Sequence, residues 1–301
     1  MIDIRLRTRI TDSAIAAIKG HILGPRDYDL LLTGPTFVRM PNNRPLCVYL
    51  PGALTALFTD DVYTILHALR TDTTSNRGAA SGSRRLRRGG DINPATRTET
   101  VPIASTVIGA MDPAGQRMYC RLTSWTGTNL PQWQQLHPLL REIATHLARH
   151  VPDRHAAQAA QAAASDPAWI VPGTPFSTVT VNNTYPTGVH TDKGDLDEGF
   201  STIAVHRRGT YTGGHLVFPA YRVAVDLHDG DLILMDAHQW HGNTPIHCPC
   251  DTPPPGWPVQ DLRRRTHQPR VLLPHQDRPL RHPRRRTRPR RPPLGPHLGD
   301  R

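Results

Sequence analysis

The chain has 301 residues, enough for one large domain or two small ones around a buried core. Its apolar fraction of 37% is low, its 30 prolines are many, and its net charge of +11 is unevenly placed. Residues 247–301 carry 13 Arg against 4 Asp, so the basic pI belongs to a tail and excludes a uniformly basic domain. Four cysteines in a chain of this size make no disulfide framework. The N-terminus lacks an apolar core of signal-peptide length, and no stretch approaches the ~18 apolar residues of a membrane span. The expectation is a soluble cytoplasmic protein with no membrane contact.

In chain order, residues 11–20 and 59–71 read as short helices, each with a Thr or Asp placed to cap its start. Residues 1–34 are expected to form an N-terminal helical segment. Between the two helices, Pro45 to Leu50 reads as a buried strand. Residues 73–99 are rich in Gly, Ser and Arg and read as a loop. The strongest helical periodicity is at 130–150, where Trp133, Leu136, Leu140, Ile143 and Leu147 recur every three or four residues. An Ala/Gln stretch at 155–164 extends that helical layer. From 176 the runs FSTVTVNN, FSTIAVH, HLVF, RVAVDL and DLILMD alternate with Gly, Asp and Pro turns, the pattern of a sandwich or jelly roll.

Within that β-rich half, His190-Thr191-Asp192 is followed 49 residues later by His241. Two imidazoles and one carboxylate are the donors that hold non-haem Fe(II) while leaving positions open for other ligands. A lone His-x-Asp in a chain with 17 His is weak evidence. It gains weight from its surroundings: a Val-Thr-Val-Asn182-Asn183 strand before it, a glycine turn at Tyr211–Pro219, and an Asp229-Gly230-Asp231 turn whose strand leads to the second His. His238 is a rival for the distal position. Trp240-His241-Gly242 is preferred because it follows the strand and its glycine permits close approach. His206, His215 and His228 read as ordinary polar positions. His247, Cys248 and Cys250 are too few soft ligands, at this spacing, to make a zinc site the expectation.

Ser75-Asn76-Arg77-Gly78-Ala79-Ala80-Ser81-Gly82, VNNTYPTGVHTDKGDLDEGFSTI, GTYTGGHLVFPAYRVAVDL and GDLILMDAHQWHGNTPI together resemble the Fe(II)/2-oxoglutarate dioxygenases. Within them, the resemblance is to the phage and bacterial branch of the TET and base-J-binding-protein family. It covers roughly residues 35–246. It implies an α+β fold, a double-stranded β-helix (jelly roll) with supporting helices, its metal-site part at 176–246, followed by a disordered Arg/Pro-rich tail at 247–301. It further implies Fe(II) on His190, Asp192 and His241, with 2-oxoglutarate as cosubstrate near Asn182. The substrate would be DNA, hydroxylated at the 5-methyl group of 5-methylcytosine or thymine and contacted through Asn76, Arg77, Gly78 and Arg84. A 2-oxoglutarate oxygenase with a non-DNA substrate, or a non-catalytic nucleic-acid-binding protein acting through the tail, are the alternatives.

The resemblance also implies an Arg-Ile-Ser strand after the distal His, whose guanidinium would grip the far carboxylate of 2-oxoglutarate. No such strand is written here; after Ile246 the sequence turns Pro-, Arg- and His-rich. The codons compatible with Asp261 to Pro274, shifted by one nucleotide, permit Cys-x-x-Glu-Arg-Ile-Ser-Leu-Val-x-Tyr-Tyr. The expectation is therefore a frameshift between Pro245 and Asp261, and a chain that binds 2-oxoglutarate weakly.

Overall fold

The computed structural model describes residues 1–71, 73–74, 80, 103–111, 119–192, 196–247 and 270–276. Asn76, Arg77, Gly78 and Arg84, expected as substrate contacts, lie outside them. Two sheets face each other. The larger is built from β1 (Ile2–Arg5), β3 (Thr36–Arg39), β4 (Pro45–Leu50), β5 (Thr73–Thr74), β6 (Ile103–Met111), β7 (Arg121–Leu122), β8 (Thr178–Asn183), β9 (Ser201–Arg207), β13 (Leu232–Met235) and β16 (Arg270–Gln276). Its order is β1-β3-β4-β13-β9-β16-β8-β6-β5, with β7 beside β6. The smaller holds β2 (Leu30–Leu32), β11 (Leu216–Phe218), β12 (Val223–Val225) and β14 (Gly242–Asn243), in the order β14-β11-β12-β2. A two-stranded ribbon of β10 (Thr212–Gly213) and β15 (Ile246–His247) lies beside them.

Strand periodicity explains how one sheet serves two cores. Along β4, β9 and β13, Val48, Leu50, Ala204, Leu232 and Leu234 turn to one side and pack with the helices. Their neighbours Cys47, Tyr49, Ile203, Val205, Ile233 and Met235 turn to the other and meet Leu216, Phe218, Val223 and Val225 of the smaller sheet. Strands buried on both faces read as unbroken apolar runs, which is why DLILMD shows no alternation.

The helices cover the outer face. α2 (Asp60–Ala68) is capped by Thr59, whose side chain accepts from Val62 N–H, and buries Val62, Ile65 and Leu66. The 130–150 periodicity is divided in two, α4 (Leu130–Gln135) and α5 (His137–His150). Pro138 is the cause: it lacks an N–H and its ring clashes with the carbonyl four residues back, so it sits in the first turn of a new helix. α5 then buries Leu139, Leu140, Ile143, Ala144 and Leu147. α3 (Ser124–Thr128) and α6 (Pro152–Ala163) complete the layer. No helix of the described residues is long and apolar enough to cross a membrane.

Two expectations are corrected, and one strand was not expected. Residues 1–34 are not a purely helical segment: they give one six-residue helix, α1 (Asp12–Ala17), and two strands. β1 pairs parallel with β3, and β2 pairs parallel with β12. Short strands recruited to sheet edges leave little periodicity to read. The long strand β6, in register with β8 through Ser105 and Asn182, was also missed. Finally, a strand does follow Ile246: β16 lies antiparallel between β8 and β9.

Candidate metal centre

His190 and His241 are brought together by backbone pairing. His190 N–H donates to His241 O (2.9 Å) and His241 N–H returns the bond to His190 O (3.0 Å), an isolated antiparallel bridge. Gly242 makes this approach possible: a Cβ there would lie 3.1 Å from Val189 N and 3.2 Å from the Gly188 carbonyl carbon. Sequence reading expected this glycine to admit a ligand, whereas it admits the neighbouring backbone. Asp192 is fixed from the other side, its N–H donating to Ala237 O (2.9 Å) at the end of β13. β13 thus delivers both the anchor for Asp192 and, four residues on, His241.

The side chains follow. One ligand atom from each of His190, Asp192 and His241 lies within 4.8 Å of the others. The imidazole rings are 4.3 Å apart between centroids. His190 Nε2 stands 3.4 Å from Asp192 Oδ1. Each ring is oriented through its other nitrogen, His190 Nδ1 against Gly188 O (2.7 Å) and His241 Nδ1 against Gln239 O (2.9 Å). A backbone carbonyl at Nδ1 selects the tautomer whose Nε2 lone pair points inward, the arrangement that metal-binding histidines share. Burial, and then the neighbouring His190, push the His241 imidazole down to about 4, so that ring is neutral and free to donate its lone pair. The donor set, two imidazole nitrogens and one carboxylate oxygen, fits a divalent iron.

His238 is directed elsewhere, with Nδ1 on Asp236 (3.2 Å) and Nε2 toward Asp197 (3.7 Å). His206 is buried, bonded to Asp229 and stacked on Phe58 at 4.4 Å. His215 and His228 both reach Asp226, at 3.4 and 3.0 Å. Asn182 is buried in β8, and its Oδ1 accepts from Ser105 Oγ (2.7 Å) and Tyr185 Oη (3.0 Å). Both of these bonds fall on the amide oxygen of Asn182 and use neither of its N–H donors. Of the Ser75–Gly82 loop, Ala80 is described, and its carbonyl accepts from Gly188 N–H (2.9 Å), two residues before His190.

Two contributors escaped the sequence. Asp231, in the Gly-Asp pair read only as a turn, is buried and accepts from Gly52 N–H (2.8 Å), Tyr49 Oη (2.7 Å) and His228 N–H (2.6 Å), fixing the start of β13. Asn243 ties three segments behind the histidine bridge. Its Oδ1 accepts from Thr187 Oγ1 (2.6 Å) and Thr187 N–H (3.2 Å), while its Nδ2 donates to His215 O (3.3 Å). An Asn following His-Gly was visible in the sequence, but nothing in its spacing marked the partner Thr187.

Residues 112–259 match the oxygenase domain of the 2OGFeDO superfamily, Tet_JBP. Among curated proteins, the chain is 29% identical over 248 residues to thymine dioxygenase JBP1 of Trypanosoma brucei brucei, spanning 81% of this chain and 27% of that protein. It is 35% identical over 149 residues to thymine dioxygenase JBP1 of Leishmania braziliensis, spanning 48% of this chain and 18% of that protein. The chain therefore spans about a quarter or less of the length of these relatives. Among solved structures, NgTET1 in complex with 5mC DNA superposes with a TM-score of 0.51 at 13% identity, covering 89% of this chain and 90% of that one. At that identity the likeness is one of fold, and it agrees with the expected double-stranded β-helix.

Proposed function

We propose, from the premise that residues 112–259 belong to the Tet/JBP oxygenase-domain family of the 2OGFeDO superfamily, that this chain hydroxylates the 5-methyl group of a pyrimidine in DNA. The observation that carries it is the meeting of His190, Asp192 and His241 within 4.8 Å, with both Nδ1 atoms held by backbone carbonyls. His190, Asp192 and His241 would hold Fe(II), and Asn182 would donate to 2-oxoglutarate. Bound Fe(II) and 2-oxoglutarate supply the activation of O₂ that turns a methyl C–H into an alcohol. The chain's own share is geometric. The bridge between residues 190 and 241 fixes the spacing of the imidazoles. Burial of His241 keeps its ring neutral. The thymine dioxygenase relatives support thymine as a substrate base, and the 5mC DNA held by NgTET1 supports 5-methylcytosine.

The cosubstrate's far carboxylate needs a cation, and the shifted reading frame would supply one as Glu-Arg-Ile-Ser. The family match ends at residue 259, inside the interval where we place the shift. The test uses the chain as written and a frame-restored version. Each is incubated with Fe(II), 2-oxoglutarate and duplex DNA containing thymine or 5-methylcytosine, followed by nucleoside mass spectrometry. Hydroxymethylated base is expected from the restored chain. Succinate without any oxidised base would move the substrate away from DNA.

A further inference from the structure

Residues 20–23 run along the segment that carries the first metal ligand. Gly20 N–H donates to Val189 O (2.8 Å), Val189 N–H donates to His21 O (2.8 Å), and Leu23 N–H reaches Asn243 O (3.2 Å). Leu23 and Val189 are buried together with Ile15, Val217, Ala220 and Ala224. Ile22 is turned out instead, 43% exposed, one residue from a core leucine. Lys19, His21 and Arg26, near it in sequence, are exposed as well.

The charge of the whole N-terminal strip is arranged in the same sense. Residues 1–44 hold 7 Lys/Arg against 4 Asp. Of those carboxylates, Asp3 is paired with Arg39 and Asp29 with Arg222. Arg7, Lys19, Arg26 and Arg44 have no salt bridge among the described residues. Beyond β1 the strip keeps a two-residue alternation, with Arg5, Arg7 and Arg9 exposed while Ile4, Leu6 and Ile10 turn inward. It crosses from Arg39 O in β3 of the larger sheet to Ala220 O in the turn between β11 and β12 of the smaller. Thr8 and Arg44 there line a cleft of about 290 Å³ with Gln239, whose carbonyl orients His241.

An exposed isoleucine in a loop bonded to the segment that carries His190, with the exposed Lys19 and Arg26 before and after it in sequence, is the composition of a wedge. Proteins that unstack a duplex insert an Ile, Leu, Phe or Met between base steps and hold the phosphates on either side with Lys and Arg. We propose that the Lys19–Ile22 loop contacts duplex nucleic acid, with Ile22 entering the stack where the extruded nucleotide leaves it. Lys19, His21 and Arg26 hold the flanking phosphates. The proposal rests on the DNA-oxidation reading, because a base must leave the helix to reach a buried centre, at a cost of about a few kcal/mol. Ile22 offsets part of that cost by replacing the lost stacking contact.

The experiment needs neither iron nor turnover. Full-length chain is titrated into a duplex carrying 2-aminopurine next to the target pyrimidine, and into the matching single strand, with fluorescence reporting unstacking and anisotropy reporting binding. Ile22→Ala is expected to bind both DNAs within about twofold of the parent, yet to lose most of the duplex fluorescence rise. Ile22→Phe, which keeps an apolar wedge, is expected to retain it. Because Ile22 is exposed, both variants are expected to melt within about 1 °C of the parent. An undiminished duplex signal from Ile22→Ala overturns the wedge while leaving the DNA reading intact. Failure of the parent to unstack any duplex, even when anisotropy shows it bound, overturns both. The Arg-rich tail is present in every variant and cannot produce the difference.

Discussion

At the residue scale the two histidines of the WH segment make a sharp contrast. His241 is buried with a neutral ring aimed at His190 and Asp192, whereas His238 lies three residues earlier, already committed to Asp236 and Asp197. Anaerobic calorimetry with Fe(II) should show His241→Ala weakening binding by at least about 100-fold, about 2.7 kcal/mol, while His238→Ala changes it less than about threefold. Equal losses from the two variants would mean that the donor set is wrong. Asn243 tests the support of the site rather than its ligands. Asn243→Ala leaves Thr187 N–H and Oγ1 facing a void in a buried place, a loss of about 1–3 kcal/mol for each group left unpaired. Denaturant unfolding should show that destabilisation. Asn243→Asp keeps the acceptor for Thr187 but removes the donor to His215 O, and should recover part of the loss. A neutral Asn243→Ala would show that the histidine bridge holds segment 187–190 without help.

At the scale of elements, what could be read from the sequence was whatever repeated. The apolar runs of β4, β9 and β13 and the three-four spacing of α5 declare themselves because each is long enough to show a period. The triad was readable because its residue types have a chemistry of their own. β1 and β2 were not readable, being four and three residues long and stabilised by partners 34 and 193 positions away in sequence. β6 was passed over although its nine residues are in register with β8. β16 is the most telling element. It fills the slot between β8 and β9, but with Pro274 inside a central strand, where a missing N–H interrupts the ladder. Opposite Val271 on either side stand Asn183 and His206, both buried, with Asn183 Oδ1 and Nδ2 and His206 Nε2 lacking a hydrogen-bond partner among the described residues. Buried polar atoms are rarely left so, and a neighbouring strand with polar side chains at this register would satisfy them. In the shifted frame Glu-Arg is read from the codons of Arg265 and Thr266, ahead of β16, and would add the guanidinium that the resemblance requires. Restoring the frame is therefore expected to raise the melting temperature and tighten 2-oxoglutarate binding by at least about tenfold, the scale of one charge-assisted pair. Tight binding by the chain as written, or an intact reading frame through codons 246–274 at the locus, would refute the shift.

At the scale of the whole molecule the charge is unevenly divided. The residues before 247 are nearly neutral in sum, with 7 of their 23 Lys and Arg on the N-terminal strip, while residues 277–301 alone hold 9 Arg and 2 Asp. Every phosphate neutralised adds about 0.9 to the slope of log affinity against log salt. A tail of this charge should therefore dominate how tightly the chain holds DNA, without determining what it does there. Truncation after Gln276, which keeps β16 and all the elements described, is expected to lower that slope by several units. Affinity near 0.1 M salt should fall by about 10- to 1,000-fold. The duplex unstacking signal per bound complex should not change, since Ile22, Lys19 and the metal ligands are untouched. Fluorescence and anisotropy measured together across a salt series separate the two quantities. If unstacking per complex disappears along with the tail, the tail is the nucleic-acid-binding element in full and the strip beside the metal centre serves another purpose. If the slope stays where it was, the phosphates are held by residues 1–276, and the 9 arginines after Gln276 contribute nothing to the encounter.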